Sequence, residues 1–326
     1  MTNHQTKAMK VEEIAEYCQK ITNEVGKAVI GKQDILMKMM AAFLSSGGHI
    51  LLEDFPGLAK TLIANSFSIA LGLDFKRIQF TPDLLPGDIT GGYIFNNREN
   101  QFVLRKGPLF TNILLADEIN RASPKTQSAL LEAMQECRVS LEGESHQLPD
   151  PFIVIATQNP IEYEGTFPLP EAQLDRFIIR LSVGYPTMVE EQEMLARRSD
   201  RKQDPVPLSA VITPEIFQGM RLGVENVFIE PDLQQYIVQL IAKTRQHKQV
   251  ELGVSPRGSL ALLKLSRAWA AINGREFVLP DDIKTFAQPA LSHGIILDPN
   301  LWSTKKADTS LIEEILRSTP VPVLKN

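Results

Sequence analysis

The stretch Leu51-Leu52-Glu53-Asp54-Phe55-Pro56-Gly57-Leu58-Ala59-Lys60-Thr61 decides the fold. It starts as an apolar run over 49–52, turns through Pro and Gly, and leads into a helix-like pattern over 62–73. A strand, a glycine-containing loop and a helix in that order form a phosphate cradle. Backbone N–H groups and the positive end of the helix dipole face the anion, and Lys60 adds a point charge. Thr61 would offer its hydroxyl to Mg²⁺. Some fifty residues on, Ile113-Leu114-Leu115-Ala116-Asp117-Glu118 reads as a buried strand ending in two carboxylates. One suits the metal's water shell, the other the activation of a water. Together the two stretches imply a site equipped for nucleoside triphosphate hydrolysis.

The loop departs from the strict pattern, which has Gly six residues before the Lys and directly before it. Asp54 and Ala59 stand at those positions. Ala59 reads as a small loss, since a methyl group tolerates right-handed backbone angles. Asp54 is expected to set a carboxylate near the phosphate site, lowering affinity. Pro56, Gly57, Leu58, Ala59, Lys60, Thr61 and Leu62 are the candidate nucleotide-binding residues, with Asp117. The metal candidates are Thr61 and, through water, Asp117.

Composition narrows the class. A chain of 326 residues with 43% hydrophobic content supports two packed domains. A net charge of −5 and a pI near 5.7 give no global pull toward nucleic acid or anionic membrane. Two cysteines, Cys18 and Cys137, make no disulfide framework and no metal spacing, which suits a reducing compartment. Residues 1–10 are polar without a signal-peptide core. No apolar run approaches the ~18 residues of a membrane span. A soluble cytoplasmic protein is the expectation. The histidines at 4, 49, 146, 247 and 293 show no ligand spacing and read as packing or surface residues.

Residues 10–45 read as two amphipathic helices. From 49 to 184, apolar strand-like runs at 49–52, 75–80, 112–117, 152–158 and 177–183 alternate with helical ones. That pattern implies a parallel sheet covered on both faces. Two stretches, 92–110 and 138–148, read as hairpins. After Tyr185-Pro186 the pattern predicts helices only, near 188–198, 214 onward, 232–247, 256–272, 281–291 and 310–317. Thr187 with Glu190 makes a capping box, Thr213-Pro214 opens a helix, and Asn273-Gly274 closes one. The expected division is 1–186 as an α/β core, 187–212 as linker and insert helix, and 213–326 as a helical lid.

Three further segments share the chemistry. Ala156-Thr157-Gln158-Asn159-Pro160 brings a polar Asn to the sheet edge that carries Asp117 and Glu118, where ligands bind in parallel sheets. Leu174-Asp175-Arg176-Phe177 presents an Arg before the last strand, and Ser255-Pro256-Arg257 starts a helix with another. In this order the chain resembles an AAA+ ATPase of the MoxR family from about residue 20 to 310. The resemblance implies a five-stranded sheet in the order 5-1-4-3-2 and an all-helical lid. It also implies ATP and Mg²⁺ as cofactors, with Glu118 as general base and Asn159 as the sensor that orients water. Arg176 would be the arginine finger given to a neighbouring subunit, and Arg257 the second sensor. Val29, Ile30 and Gly31 would pack on adenine. The two hairpins would face the channel of a homo-oligomeric, normally hexameric, ring. The resemblance further implies chaperone-like action on protein clients, with partners carrying von Willebrand factor A domains.

Blander roles exist for each residue. Glu118 could be a solvated helix-start residue, Asn159 a turn starter before Pro160, and Arg176 an ion-pair partner of Asp175 or Glu171. Arg257 at a helix start opposes the dipole, which argues against a purely structural role. Asn120 and Arg121 could cap the next helix or transmit nucleotide state. Two rival functions remain: a nucleic-acid motor, which would want more than Arg98, Arg105 and Lys106 on the first hairpin, and a nucleotide-gated scaffold with little turnover.

Overall fold

A computed structural model describes residues 7–160, 165–298, 300 and 307–322. The first six residues of the polar start, and the side chain of Glu171 as a partner for Arg176, lie outside what it describes. Helices α1 (Val11–Gly26) and α2 (Gln33–Leu44) lead in. The sheet strands are β1 (Ile50–Glu53), β2 (Phe75–Gln79), β5 (Ile113–Asp117), β8 (Ile153–Gln158) and β9 (Ile179–Leu181). Between them lie α3 (Lys60–Leu71), α4 (Pro86–Thr90), the hairpin β3 (Gly91–Asn96) and β4 (Gln101–Lys106), α5 (Pro124–Glu136), the hairpin β6 (Arg138–Leu141) and β7 (Glu144–Gln147), and α6 (Glu171–Leu174).

The sheet runs β2-β5-β8-β1-β9, all parallel. Counting only its own five strands, that is 5-1-4-3-2, as the resemblance implied. Its two faces follow from the strand period of two. Ile50, Leu52, Ile113, Leu115, Ile153 and Ile155 enter one core with α1, α2 and α3, whereas Leu51, Leu114, Ala116, Val154 and Ala156 enter another beneath α5. Burying each Ile or Leu contributes about 1.5–3 kcal/mol. Both hairpins form, and Tyr93 joins them, donating its hydroxyl to Glu144 with its ring 6.2 Å from His146.

Beyond β9 come α7 (Met188–Arg201), α8 (Pro214–Glu225), α9 (Pro231–Gln246), α10 (Pro256–Ile272), α11 (Pro280–Leu291) and α12 (Ala307–Ser318). The capping box at Thr187, the cap at Thr213 and the stop at Asn273-Gly274 are present. The expectation of helices alone needs one correction. Strands β10 (Val250–Leu252) and β11 (Ile296–Leu297) pair antiparallel. Runs of three and two residues carry too little alternation to register in sequence, and only the turn after α11 brings them together. The core built from α1 and α2 continues into α8–α11, so the two parts of the chain share buried surface. Helix α7 is the exception, with no buried residue and Met188, Val189 and Leu195 exposed. Among the described residues, no helix is long and apolar enough to cross a membrane.

Candidate functional site

The phosphate loop follows β1 at the carboxyl edge of the sheet, as the strand–loop–helix reading requires. Pro56 to Leu62, Asp117, Glu118 and Asn159 line one cavity of 440 Å³, together with Arg77, Gln79 and Thr157. Gly57 has φ +82°, with nothing within 4 Å of where a Cβ would stand, which leaves its backbone open to a ligand. Lys60 Nζ donates to the carbonyls of Asp54 (2.7 Å) and Phe55 (3.0 Å). Burial pulls its pKa down, and the carboxylates of Asp54, Asp117 and Glu118 oppose that. The hydroxyl of Thr61 and the carboxylate of Asp117 share this cavity with the Lys60 ammonium. That is the hard-oxygen set Mg²⁺ prefers, beside a cation suited to phosphate, so these residues fit Mg·ATP.

Two expectations about the loop are overturned. Ala59 does not adopt right-handed angles; it sits at φ 55°, ψ 15°, as N-cap of α3. A non-glycine residue there carries roughly 1–2 kcal/mol of steric cost. Asp54 does not face the phosphates either. It is 5% exposed, and its carboxylate turns away from the cavity to accept from Ser182 Oγ (2.7 Å), Val183 N and Gly184 N (3.2 Å).

The acidic pair is held from several sides. Thr157 Oγ1 donates to Asp117 Oδ1 (2.6 Å) and accepts from the Glu118 backbone N–H (2.8 Å). Arg77 donates through Nη2 (2.7 Å) and Nε (3.2 Å) to Asp117 Oδ2. Gln79 Nε2 (2.7 Å) and Arg121 Nη1 (2.9 Å) both donate to Glu118 Oε2. Glu118 itself is left-handed, at φ 57°, ψ 49°, the sparsely populated backbone that collects at functional sites. Arg121 therefore touches Glu118 directly. Sequence reasoning passed over Arg77, Gln79 and Thr157. The period-two pair Arg77/Gln79 was the available signal, since it sets two polar side chains on one face of a sheet strand.

The two arginines lie elsewhere. Arg176 and Arg257 line a second cavity of 260 Å³ with Gln135, Asp175, Lys264 and His293, and neither lines the phosphate cavity. Burial and the charge of Arg257 lower the pKa of Arg176, whose Nε donates to Gln135 Oε1 (3.3 Å). Arg257 follows the N-cap Ser255, whose hydroxyl accepts from its backbone N–H (3.1 Å). Val29, Ile30 and Gly31 also stay outside the phosphate cavity. There the Glu190 carboxylate occupies the space beside Gly31, 1.9 Å from where a Cβ would stand, and Lys32 Nζ donates to the Tyr185 carbonyl (2.9 Å).

Known proteins are similar to this chain over most of its length. Residues 49–179 match the family described as ATPase family associated with various cellular activities (AAA), and residues 242–315 the AAA lid domain. The Mycobacterium tuberculosis protein named Chaperone MoxR1 is 39% identical over 308 residues, 92% of this chain and 81% of its own. The chain belongs to the MoxR family of AAA+ ATPases. An uncharacterized protein of Bacillus subtilis, YeaC, is 46% identical over 97% of this chain and 98% of its own. A crystal structure of a candidate ATPase from Cytophaga hutchinsonii, 38% identical, aligns over 96% of this chain and 97% of that one with a TM-score of 0.89. The MoxR assignment spans core and lid alike.

Proposed function

We infer that this MoxR-family chain hydrolyses ATP with Mg²⁺ and couples turnover to the remodelling of a protein client. The observation that carries the ATPase reading is the single cavity shared by Lys60, Thr61, Asp117, Glu118 and Asn159. Lys60 exchanges its two carbonyl partners for phosphate oxygens. Thr61, and Asp117 through water, would hold the metal, which would neutralise charge on the phosphates. Glu118 takes the proton of the attacking water once its carboxylate leaves Gln79 and Arg121, and Asn159 orients that water.

The cavity that Arg176 and Arg257 share lies apart from their own chain's Lys60. That supports the use of Arg176 on the γ-phosphate of a neighbouring copy, hence a ring, which we take as hexameric and cytoplasmic, with Arg257 as the second sensor. Residues 1–186 would be the nucleotide-binding core, 187–212 the linker and insert helix, and 213–326 the lid. The name of the Mycobacterium relative, a chaperone, supports a protein client over nucleic acid. A partner with a von Willebrand factor A domain belongs to the same reading.

Glu118→Gln tests it, because the change keeps shape and removes the base. Mg·ATP should bind with parental affinity while turnover falls about 10²–10⁴-fold. The trapped complex should retain its client in a pulldown. Turnover within a few-fold of the parent would overturn the base assignment, and ATP binding without phosphate release by the parent would leave a nucleotide-gated scaffold.

A further inference from the structure

Asp54 is a buried carboxylate whose direction is unrelated to the phosphates. It directly follows β1 and stands six residues before Lys60, where the strict loop pattern has glycine. Its Oδ1 accepts from Ser182 Oγ and Gly184 N, and its Oδ2 from Val183 N. All three donors belong to the segment between β9 and α7. A charged acceptor with three donors is the arrangement that makes a buried charge tolerable and its geometry fixed.

The same residue meets the site through its backbone. Its carbonyl accepts from Lys60 Nζ, and its N–H donates to Gln158 O (3.2 Å), next to Asn159. The connections continue on both sides. Gly184 turns the chain at φ +65°, and the following Tyr185 has its ring 6.2 Å from Phe55. On the other side of Asp54, Glu53 lies 3.5 Å from Arg180, which also reaches Ser292 and Asp308 near the end of the chain.

We propose that Asp54 is a positioning residue that ties the phosphate loop to residues 182–185, so that nucleotide at Lys60 and the segment leading to α7 and the lid bias one another. This rests on the nucleotide-binding reading above. The coupling is reciprocal by linkage: whatever loosens residues 182–184 must weaken nucleotide binding, although none of them lines the phosphate cavity.

The test measures ATP and ADP affinity, thermal stability and amide exchange at Val183 and Gly184. In the parent, nucleotide should slow exchange of those two amides. Asp54→Asn keeps the volume but turns an N–H₂ toward one of the backbone donors. It should weaken both nucleotides by about tenfold, within the usual 5–150-fold of coupled sites, and remove the nucleotide dependence of exchange. Ser182→Ala deletes one hydroxyl of an exposed residue. It should weaken binding by a few-fold with parental thermal stability, and add little on top of Asp54→Asn. A merely structural role would lower stability and leave the affinity of the folded protein alone. Parental affinity with retained nucleotide-dependent exchange in Asp54→Asn overturns the proposal, as does tighter binding in Asp54→Gly. If Asp54→Asn does not fold, parental affinity in Ser182→Ala overturns it. A parent that binds no ATP removes the nucleotide reading itself, which is a different result from a binding parent matched by its variants.

Discussion

The two cavities differ in how their charges are settled. Around the phosphate loop, two cations and two carboxylates line the wall, Lys60 and Arg77 against Asp117 and Glu118. Asp117 is paired by Arg77, and Glu118 is paired from just outside the lining by Arg121. Among the described residues, the second cavity has three cations, Arg176, Arg257 and Lys264, and a single carboxylate, Asp175. Its histidines are buried, with pKa values held down to about 4, so they remain neutral near pH 7. Like charges crowded at a half-buried position cost free energy unless an anion arrives. The first cavity can balance itself within one chain, whereas the second holds an excess of positive charge that an anion would relieve; on the function proposed above, that anion would be a neighbour's triphosphate.

An Arg176 that acted inside its own chain would erase this difference between the cavities. Arg176→Ala should lose about 10³–10⁵ in turnover, the range of a finger supplied in trans, with ATP affinity nearly unchanged. Mixed into rings with Glu118→Gln, it should recover partial phosphate release wherever a parental Arg176 faces a parental Glu118. No rescue on mixing, with equal specific activity down to monomer, would assign both cavities to one chain.

Acid sharpens the contrast by loading the second cavity with more charge. His49 accepts from Val154 N through Nδ1 and faces the Met134 carbonyl, while His293 Nε2 faces the Phe177 carbonyl. Burial is the largest cause of both depressions, aided at His49 by Arg221 and Lys264 and at His293 by Arg180. Because the folded values lie below the unfolded 6.5, this stability is present above pH 6.5 and is lost as pH falls toward 4. The full loss is on the order of 3 kcal/mol per histidine. Denaturant unfolding at a series of pH values should show a gentler acid decline for His293→Gln than for the parent. Parallel declines would mean His293 is protonated as readily folded as unfolded.

The smallest effect belongs to the loop. Ala59→Gly relieves a left-handed alanine and should raise stability by about 1 kcal/mol, with nucleotide affinity equal or better. A lower melting temperature would deny Ala59 its positive φ.

Much of this was legible in the chain. The apolar runs of β1, β5 and β8 announce buried parallel strands, and Lys60, Thr61, Asp117, Glu118 and Asn159 all end at one sheet edge because of where they stand relative to those runs. What escaped depends on side-chain direction between distant segments. Nothing near Asp54 reveals that three donors wait at 182–184, over a hundred residues away. A pattern match cannot show that Ala59 is left-handed, since an α-helix cap of either hand reads alike. Arg77 and Gln79 look like ordinary strand polarity until register sets Gln79 beside Asp117. Arg176 and Arg257 each stand out in the sequence as candidates, but their meeting in one cavity depends on how the helical part of the chain packs.

Helix α7 has a consequence for the integrity of the chain. It is anchored at its two flanks, by Asp54 on 182–184 and by Glu24 Oε1 and the Ala70 carbonyl on Ser209 and Val211. Nothing in between is buried. The apolar core, by contrast, draws on residues before and after it, from Val11 to Val183 and from Ile212 to Ile315. A single cut after Arg198 would therefore sever the backbone without dissolving the particle. The two pieces would travel together under native conditions and separate only in denaturant, as if the polypeptide had been built from two halves that recognise each other.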